Sequence, residues 1–538
     1  MANREKHVRI YDLHSWTGIA LGLMVFVVCF TGSLALFHDE FHVWEDPTHR
    51  IEATDNPVPI HDLFSEWIDE NKGYKTPQFA SISPAHDGRG YYEGFVSLKD
   101  SEGEFEQLVQ KWDAKTGARL PAREDGANRF LYDLHRDLAW PEILGGRQIG
   151  RALVGVVGIA FMLIILSGVI AHTKIVKELF SLRYLRSVRL KWQDTHKVLG
   201  LWGLPFSSMI AFTGAWLGVI TLLLPLLAAV TVAGDVDKLA NALGLEQQEA
   251  AGVAVEMLPF DVPLNTRHPE TGALPQRVFA TNWGDNNATY TMNYPVDDRL
   301  VFSDQLRISA VDGSDIPITD RIAADEPLPR MLGAISPLHY GTFGGVALKL
   351  VYFAMGMMLA IMAALGNMMW IERRLHGGEG HKSEKFYRRL SAFTTGVCAG
   401  LPVASFGVLL LDALYWGSEP ARFNIAVMSF FAIWLATLGF AFVRKNDYRA
   451  TREMLGLSGV VLLAMPIVNG LTTGDYFWTA LGSSASVAGW FDISFIILGG
   501  LTLATANKLP RNRPVDKRRR AQGSESAPGF DSELQPAE

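Results

Sequence analysis

The first long apolar stretch of the chain is YDLHSWTGIALGLMVFVVCFTGSLALF, residues 11 to 37. Its apolar part, Trp16 to Phe37, reaches the length of about 20 residues that a helix needs to cross a bilayer. The run is too long for the apolar core of a secretory signal, and no small-residue cleavage site follows it. We interpret it as a retained membrane-spanning helix with a histidine, His14, at its start.

Similar runs continue along the chain, which has 538 residues, 49% of them hydrophobic, with 30 Phe and 14 Trp. This composition is typical of a polytopic membrane protein. Eight runs have spanning length, at residues 15–37, 150–172, 197–230, 343–371, 391–413, 423–443, 454–473 and 488–507. The third contains Pro205 and Pro225, so we expect it to bend or to end early. The predicted class is mainly α, with about eight transmembrane helices.

Lys and Arg are concentrated in alternate connections. If the N-terminus is cytoplasmic, the cytoplasmic segments hold 26 of the 49 Lys and Arg; they are residues 1–13, 173–195, 372–390, 444–453 and 508–538. This bias predicts that both termini are cytoplasmic. The net charge of -7 is informative only after the charges have been assigned to the individual connections. We expect no nucleic-acid partner.

Two long loops then lie outside the membrane, at residues 38–149 and 231–342. The first combines an amphipathic helix, IHDLFSEWIDEN, with strand-like runs such as YYEGFVSLKD; the second contains RVFATNW, ATYTMNYPV and LRISAVDGSDI. Each loop is therefore predicted to form a small α+β domain. The predicted order is helix 1 (1–37), the first domain (38–149), helices 2 and 3 (150–230), the second domain (231–342), helix 4 (343–371), a further four-helix region (391–507) and a basic, disordered cytoplasmic tail (508–538).

The first half of the chain contains an internal repeat. DLHSWTGIALGL at 12–23 matches DTHKVLGLWGL at 194–204 in the Asp, the His and the Gly four residues later. A Thr-Gly pair, Thr31-Gly32 or Thr213-Gly214, begins seventeen residues beyond each histidine. The unit is helix, external domain, helix, and its two copies have the same orientation. Such copies are related by a two-fold axis along the membrane normal.

The two-fold axis predicts which histidines meet. His14 and His196 occupy equivalent positions and should face each other near the cytoplasmic side. His135 and His339 precede the second helix of each unit, so they should meet near the external side. Two imidazoles facing each other across such an axis suit haem b, with one axial histidine from each repeat. A lone histidine at a helix end is more often an interfacial residue, but four at repeat-matched positions favour ligation.

Neighbouring residues extend this hypothesis. Glycines near the histidines leave room for a porphyrin face; they are Gly18, Gly22, Gly200 and Gly203, and Gly341, Gly344 and Gly345 near His339. Arg147 and Arg151 are candidates for pairing with haem propionates, with interfacial anchoring as the alternative. An Asp two residues before each of three histidines predicts helix caps; these are Asp12, Asp133 and Asp194.

Other features leave alternatives open. Zinc or copper could use the histidine pairs, but neither pair shows an added carboxylate or thiolate. His172 is a reserve ligand for the inner haem, whereas His38 and His42 lack a repeat-matched pair. His376 and His381 have a poor helical metal spacing. Two cysteines, Cys29 and Cys398, form no disulfide framework, and the chain has no CxxCH motif.

Residues 1 to about 380 resemble the PepSY-associated transmembrane family. The matching stretches are DLHSWTGIALGL, LHRDL, GRQIGRALVG, DTHKVLGLWGL and LHYGTFGG. The resemblance implies a bacterial inner-membrane protein with two PepSY-like periplasmic domains and often a role in iron uptake. Some members are di-haem ferrisiderophore reductases, and their axial ligands carry over to His14, His135, His196 and His339. Two features depart from the family, namely SGVIAHTK in place of an aromatic cluster and the four additional helices.

The leading hypothesis is therefore transmembrane electron transfer through two haems b to a ferric siderophore or other ferric chelate. This ferric-chelate reductase would need no catalytic acid, base or nucleophile. Its cytoplasmic loops are too short for a flavin or nicotinamide domain, and no GxGxxG follows a strand, so a quinol or a separate cytoplasmic reductase would supply electrons. The alternatives are a permease for an iron chelate or haem, and a membrane-anchored periplasmic binding or protease-regulating module.

Overall fold

The computed structural model describes residues 2–85, 89–121, 126–171, 188–231, 233–235, 249–295, 300, 304–317, 327–376, 382–414 and 421–513. Helices dominate this part of the chain. They are α1 (Ala2–Ala35), α2 (His38–Glu45), α3 (His61–Lys72), α4 (Ala127–Asp137), α5 (Gly146–Ala171), α6 (Val188–Trp202), α7 (Leu204–Thr231), α8 (Asp261–Leu264), α9 (Pro327–Tyr340), α10 (Gly345–His376), α11 (Glu384–Leu414), α12 (Arg422–Arg444), α13 (Asp447–Thr473), α14 (Phe477–Ala480) and α15 (Ser486–Lys508).

Seven of these helices are long and apolar enough to cross a membrane, namely α1, α5, α10, α11, α12, α13 and α15. Helices α6 and α7 supply up to one more span as a pair bent by 69°. The bend lies at Gly203, just before Pro205, which sits in the first turn of α7, where a missing N–H removes no helical hydrogen bond. The prediction of about eight spans, with a bend in the third, is confirmed.

Six strands form one antiparallel sheet. They are β1 (Thr76–Ser83), β2 (Tyr91–Lys99), β3 (Phe105–Asp113), β4 (Arg277–Thr281), β5 (Thr289–Tyr294) and β6 (Asp304–Ser309), in the order β3-β2-β1-β4-β5-β6. Strands β1 and β4 come from different loops and pair along their edges, with Ala80 opposite Ala280. The two predicted α+β units are thus joined into a single sheet, and the symmetric strand order continues the internal repeat.

The sheet buries one face against α3 and α8. The core on this face includes Phe64, Trp112, Phe260 and Tyr290, all fully buried. Asp261 also links the two halves, because its carboxylate accepts hydrogen bonds from the backbone N–H groups of Ile60 and His61 at 3.0 and 3.1 Å. These donors lie at the start of α3, where backbone N–H groups lack helical partners.

The repeat is visible in the packing of the membrane helices. Helix α1 contacts α5 and α10, α5 contacts α7, and α10 contacts α6. Helices α4 and α9, which precede α5 and α10, pack against α1 and α7 respectively. We call the end of the bundle that carries the sheet the sheet side, and the opposite end, where α10 and α15 end, the basic side.

The four additional spanning helices form a second group beside this core. Helix α11 contacts α12 and α13, and α13 contacts α15. The group also touches α2 and α4. One hydrophobic cluster, with Phe30 of α1, Phe130 of α4 and Phe430 of α12, continues from the repeat into this group. The additional helices are therefore packed onto the repeat core.

Candidate functional site

The first pair of histidines, His14 of α1 and His196 of α6, lies on the basic side. Their ring centroids are 6.3 Å apart and their planes are inclined by 67°. The Nδ1 of His14 lies 2.9 Å from the carbonyl oxygen of Ile164. The Nδ1 of His196 lies 2.9 Å from the carbonyl oxygen of Met362. The predicted meeting of these two residues is observed.

The second pair, His135 of α4 and His339 of α9, lies on the sheet side. Their centroids are 6.2 Å apart and their planes are inclined by only 16°. The Nδ1 of His135 lies 2.9 Å from the carbonyl oxygen of Val28, whereas the Nδ1 of His339 lies 3.0 Å from Oγ1 of Thr213. This pair also forms as the repeat predicts.

Each ring rests against a glycine of a neighbouring helix. An added Cβ would lie 2.6 Å from His135 at Gly32, 2.9 Å from His14 at Gly168, 3.1 Å from His339 at Gly214 and 3.2 Å from His196 at Gly366. The three carbonyl groups that the rings approach belong to the residues four positions before their glycines. One helical turn thus supplies both the space for the ring and its hydrogen-bond acceptor. The Thr-Gly pairs of the sequence repeat contain two of these glycines.

The hydrogen bonds define which nitrogen is free. A carbonyl oxygen can only accept, so Nδ1 carries a proton in the three rings that face a carbonyl, and in the neutral form of these rings Nε2 keeps the lone pair. A metal-bound histidine commonly donates its second ring N–H to such an acceptor, which fixes the ring orientation and raises the basicity of the ligand. Burial also lowers the pKa of His135 and, together with the nearby His135, lowers that of His339 to about 3. Both rings are therefore neutral, as ligation requires.

The spacing within each pair suits one metal ion between two imidazoles. Two metal–nitrogen bonds of about 2.0 Å, each with about 1.1 Å from nitrogen to ring centre, place the centroids about 6.2 Å apart. The observed values are 6.3 and 6.2 Å. Within the described ranges, no three His, Cys, Asp or Glu side chains come together in a way that could hold a metal ion. Each donor set is thus a pair of imidazoles, which fits the axial coordination of haem better than a four-ligand zinc site.

A cavity of about 810 Å³ lies at the first pair, within the range of about 300–1,000 Å³ that is usual for ligand pockets. Gly18, Gly22 and Gly200 line it, as the sequence predicts. Gly203 does not serve this role, because an added Cβ there would meet the methyl group of Met358 at 2.5 Å.

Three further glycines were expected to make room beside His339. Gly341 and Gly345 have positive φ angles of 65° and 59° and form the turn between α9 and α10. Gly344 packs against Leu348. Gly341 and Gly345 therefore serve the turn, because a backbone with positive φ favours residues without a side chain. The glycine that makes room for the His339 ring is Gly214.

Cationic side chains line the same cavity. The guanidinium of Arg374 lies 3.5 Å from the ring centroid of Trp370 and 5.7 Å from that of Trp16. Arg373 donates a hydrogen bond to the hydroxyl of Tyr11 at 2.7 Å. Sequence reasoning used these arginines only for topology, although their place at the end of the helix that carries Gly366 is a usable signal. They could hold anionic propionates of a haem in the cavity.

The two arginines predicted to pair with propionates differ in surroundings. Arg147 is more than half exposed and lies 3.9 Å from a carboxylate oxygen of Asp133. Arg151 has its Nε buried without a hydrogen-bond partner in the described part of the chain. Its charge acts on Tyr340, the residue after His339. Arg151 thus remains the stronger candidate near the second pair.

The prediction that aspartates cap the histidine helices is wrong. Helices α1, α4 and α6 begin well before Asp12, Asp133 and Asp194. Asp133 instead accepts hydrogen bonds from Arg129 and Arg136 on its own helix, at 3.1 and 2.6 Å. Helical pairs at spacings of three and four residues explain the acidic residue at position 133.

The remaining histidines have other surroundings. His38 stacks on Tyr132 at 4.5 Å and lies 3.2 Å from Oδ1 of Asn128. His42 lies 4.8 Å from His49, ring centroid to ring centroid. His172, the reserve ligand, and His381 lie outside the described residues.

The additional helices hold α4 through a buried charge cluster. Arg422 donates to Asp412 at 2.8 Å and lies 3.1 Å from Glu45 of α2. All three side chains are nearly inaccessible to solvent. Glu45 also accepts from the backbone N–H of Asn128, near the start of α4, at 3.4 Å. Beside the cluster, Phe130 packs on Phe430 with centroids 4.9 Å apart. The additional helices thus support the helix that carries His135.

Two aspartates of the additional helical group, Asp475 and Asp492, belong to a similar network. Asp475 pairs with Arg50 at 2.7 Å, and Asp492 accepts from Trp44 and Asn469 at 2.9 Å each. Their contacts join α13 and α15 to α2 and to the segment that follows it.

Comparison with known proteins agrees with this architecture. The family model of the PepSY-associated TM region matches residues 11–373. An uncharacterized protein of Pseudomonas aeruginosa is 27% identical over 347 residues, which cover 60% of this chain and 82% of that protein. The matched region contains all four histidines and ends before the additional helices. The chain belongs to the PepSY-associated transmembrane family.

Proposed function

We propose that the chain is a di-haem electron-transfer protein of a bacterial inner membrane that reduces ferric siderophores or other ferric chelates on the periplasmic side. One observation carries the proposal. Two pairs of histidines lie on opposite sides of the bundle, each at a spacing that fits one metal between two Nε2 atoms. A haem b held by two histidines carries single electrons, and the protein sets its position and potential.

The separation of the two pairs along helix α1 supports electron transfer across the membrane. The His14 side chain leaves α1 near its start, and the His135 ring rests on Gly32 of the same helix. Eighteen residues separate these positions, or about 27 Å of helix rise. This is close to the hydrocarbon thickness of about 30 Å. The two pairs therefore bracket the barrier that an electron would have to cross.

The surrounding residues fix the orientation of the four imidazole rings. Carbonyl groups of Ile164, Met362 and Val28 hold three rings by Nδ1, and Thr213 holds the fourth. The facing glycines let the helices approach the rings closely. A ligand that is already oriented reorganises little when its charge environment changes, which favours fast electron exchange.

The electron donor and acceptor would be separate molecules. We expect a quinol or a cytoplasmic reductase at the basic side, where Arg373 and Arg374 border the cavity. A ferric chelate would take the electron on the sheet side. Reduction of Fe(III) to Fe(II) weakens its hold on hard oxygen ligands and releases the metal.

The permease alternative is less well supported. It needs polar groups that face a path through the membrane, and the first four spans offer few. The hydroxyls of Thr31, Ser33 and Thr213 each donate to a carbonyl oxygen of their own helix at 2.8 Å. Such side chains are already paired within their helices. The binding-module alternative leaves the geometry of both histidine pairs unexplained.

The test uses sealed proteoliposomes with a reductant trapped inside and ferric citrate outside, together with a dye specific for Fe(II). The wild-type protein should reduce external iron, and His14→Ala or His339→Ala should abolish this. The matched control is His376→Ala, since this partly exposed residue pairs with Glu372 at 3.1 Å at the end of α10. Wild-type rates in both ligand variants would contradict the proposal.

A further inference from the structure

The four histidine contacts are not equivalent. Three rings approach the main-chain carbonyl oxygen four residues before their glycine. His339 instead approaches the hydroxyl of Thr213, the residue next to Gly214, at 3.0 Å. In the other repeat, the equivalent hydroxyl, that of Thr31, donates to the carbonyl of Val27 at 2.8 Å. The His135 ring there approaches the carbonyl of Val28. One hydroxyl thus breaks the symmetry of the repeat.

The hydroxyl of Thr213 is positioned to accept a hydrogen bond from His339. Its hydroxyl donates to the carbonyl of Met209 at 2.8 Å, which leaves an oxygen lone pair for the N–H of His339. The side chain is 2% exposed, and a β-branched residue in a helix has few rotamers. The acceptor therefore has a fixed place beside the ring.

The other positions next to the ring glycines differ. Ser167 precedes Gly168, but its hydroxyl is 3.4 Å from Nδ1 of His14, farther than the carbonyl of Ile164 at 2.9 Å. Leu365 precedes Gly366 and has no hydroxyl. Among the four ligands, a side-chain acceptor thus replaces the backbone only at His339.

The two histidine pairs also differ in the angle between their ring planes. The second pair, which includes His339, has planes inclined by 16°, whereas the first pair has planes inclined by 67°. In a low-spin ferric haem, nearly parallel axial imidazoles separate two of the iron d orbitals and give a rhombic electron paramagnetic resonance (EPR) signal. Nearly perpendicular imidazoles leave these orbitals close in energy and give a strongly anisotropic signal with its main feature at lower field.

We propose that Thr213 is a positioning residue that sets the plane of the His339 imidazole, so that the two haem sites differ in electronic structure. This inference rests on the proposed function, since it assumes a haem at each pair. It assigns the rhombic signal to the site on the sheet side and the strongly anisotropic signal to the site on the basic side.

The test is low-temperature EPR of the oxidised, detergent-purified holoprotein. The wild-type spectrum should contain both kinds of signal. Thr213→Val removes the hydroxyl and frees the carbonyl of Ile210, which the hydroxyl approaches at 3.3 Å. The His339 ring should then turn toward that carbonyl. The low-field feature of the rhombic signal should move to lower field while the other signal stays unchanged.

Two variants serve as controls. Thr31→Val makes the same change at the equivalent position of the other repeat, and both signals should remain as in the wild type. Thr213→Ser keeps the hydroxyl and should keep the rhombic signal, even if Thr213→Val loses that haem entirely. Such a loss, with rescue by serine, supports the inference.

The outcomes separate this inference from the proposed function. If the wild type and Thr213→Val both bind two haems and give the same EPR spectrum, the role of Thr213 is overturned and the di-haem proposal is unaffected. An equal effect of Thr31→Val and Thr213→Val also overturns it, because a general disturbance would then explain both. A wild-type protein without haem overturns both proposals.

Discussion

A methyl group at Gly32 should empty the second histidine pair while the chain stays folded. The added Cβ of Gly32→Ala would lie 2.6 Å from Cε1 of His135, and ordinary contact begins at 3.4 Å. The ring must therefore retreat by about 0.8 Å, whereas metal–ligand distances tolerate about 0.2 Å. At Gly366 the distance is 3.2 Å, so the retreat there falls within that tolerance. Gly366→Ala should keep its haem.

Stability should change little in either variant. Overpacking costs about 1–3 kcal/mol, and alanine gains about 1 kcal/mol over glycine within a helix. The net change is therefore small compared with the stability of a large helical bundle. Loss of haem without a matching loss of thermal stability is the expected signature of Gly32→Ala.

The assay is haem per chain after purification from cells supplied with haem, with thermal unfolding measured on the same samples. Gly32→Ala should retain one haem and Gly366→Ala two. Gly439→Ala is the matched control, because this glycine also lies in a spanning helix and an added Cβ there meets no atom within 4 Å. Two haems in Gly32→Ala, or a loss confined to Gly366→Ala, would show that Gly32 does not provide the space for the His135 ring.

Four further predictions concern the surroundings of the two pairs. Arg422→Leu leaves the buried carboxyl groups of Glu45 and Asp412 without their cation, so unfolding in detergent should become easier by about 3–5 kcal/mol. Burial and the nearby Asp412 raise the pKa of Glu45, so the folded chain keeps a proton that the unfolded chain releases. Stability should therefore fall as pH rises, and Glu45→Gln should flatten that dependence in unfolding scans. Phe130→Ala removes a fully buried ring from α4, which should lower the free energy of unfolding by about 3–5 kcal/mol. The haem at the second pair should be lost first, which would be measured as one haem per chain. Arg374→Gln removes a positive charge beside the first pair, so redox titration should show a lower midpoint potential for that haem only.

Matched controls separate these effects from general damage. Phe386→Ala changes an aromatic ring that is 47% exposed, and it should leave haem content and stability unchanged. Arg147→Gln removes a charge on the sheet side and should leave the potential of the first haem unchanged. A pH dependence in Glu45→Gln equal to that of the wild type would contradict the role given to Glu45. An unaltered haem content in Phe130→Ala would contradict the support of α4 by the additional helices.

The sequence contained much of the candidate site because the site follows the repeat. Equivalent positions in two copies of one orientation must meet across the axis, so His14 and His196 could be paired from numbering alone. The Thr-Gly pairs were visible as well. Their role was not, because the ring that Gly32 accommodates belongs to α4, more than a hundred residues away.

Other features depend on contacts that no local pattern encodes. The joining of β1 to β4 needs two loop domains to meet edge to edge. The cluster of Glu45, Asp412 and Arg422 unites residues from α2, α11 and α12, so single positions give no signal. The error about the aspartate caps has a local cause, since the helices extend backward beyond the apolar runs that were used to place their starts.

Haem binding by the two histidine pairs is tested most directly by the reduced-minus-oxidised absorption spectrum of the purified wild-type protein, with haem quantified per chain. We predict two b-type haems with spectra typical of two axial histidines, falling to one in His14→Ala or in His135→Ala. A wild-type protein that binds no haem, or variants that keep both haems, would show that the histidine pairs are not haem ligands.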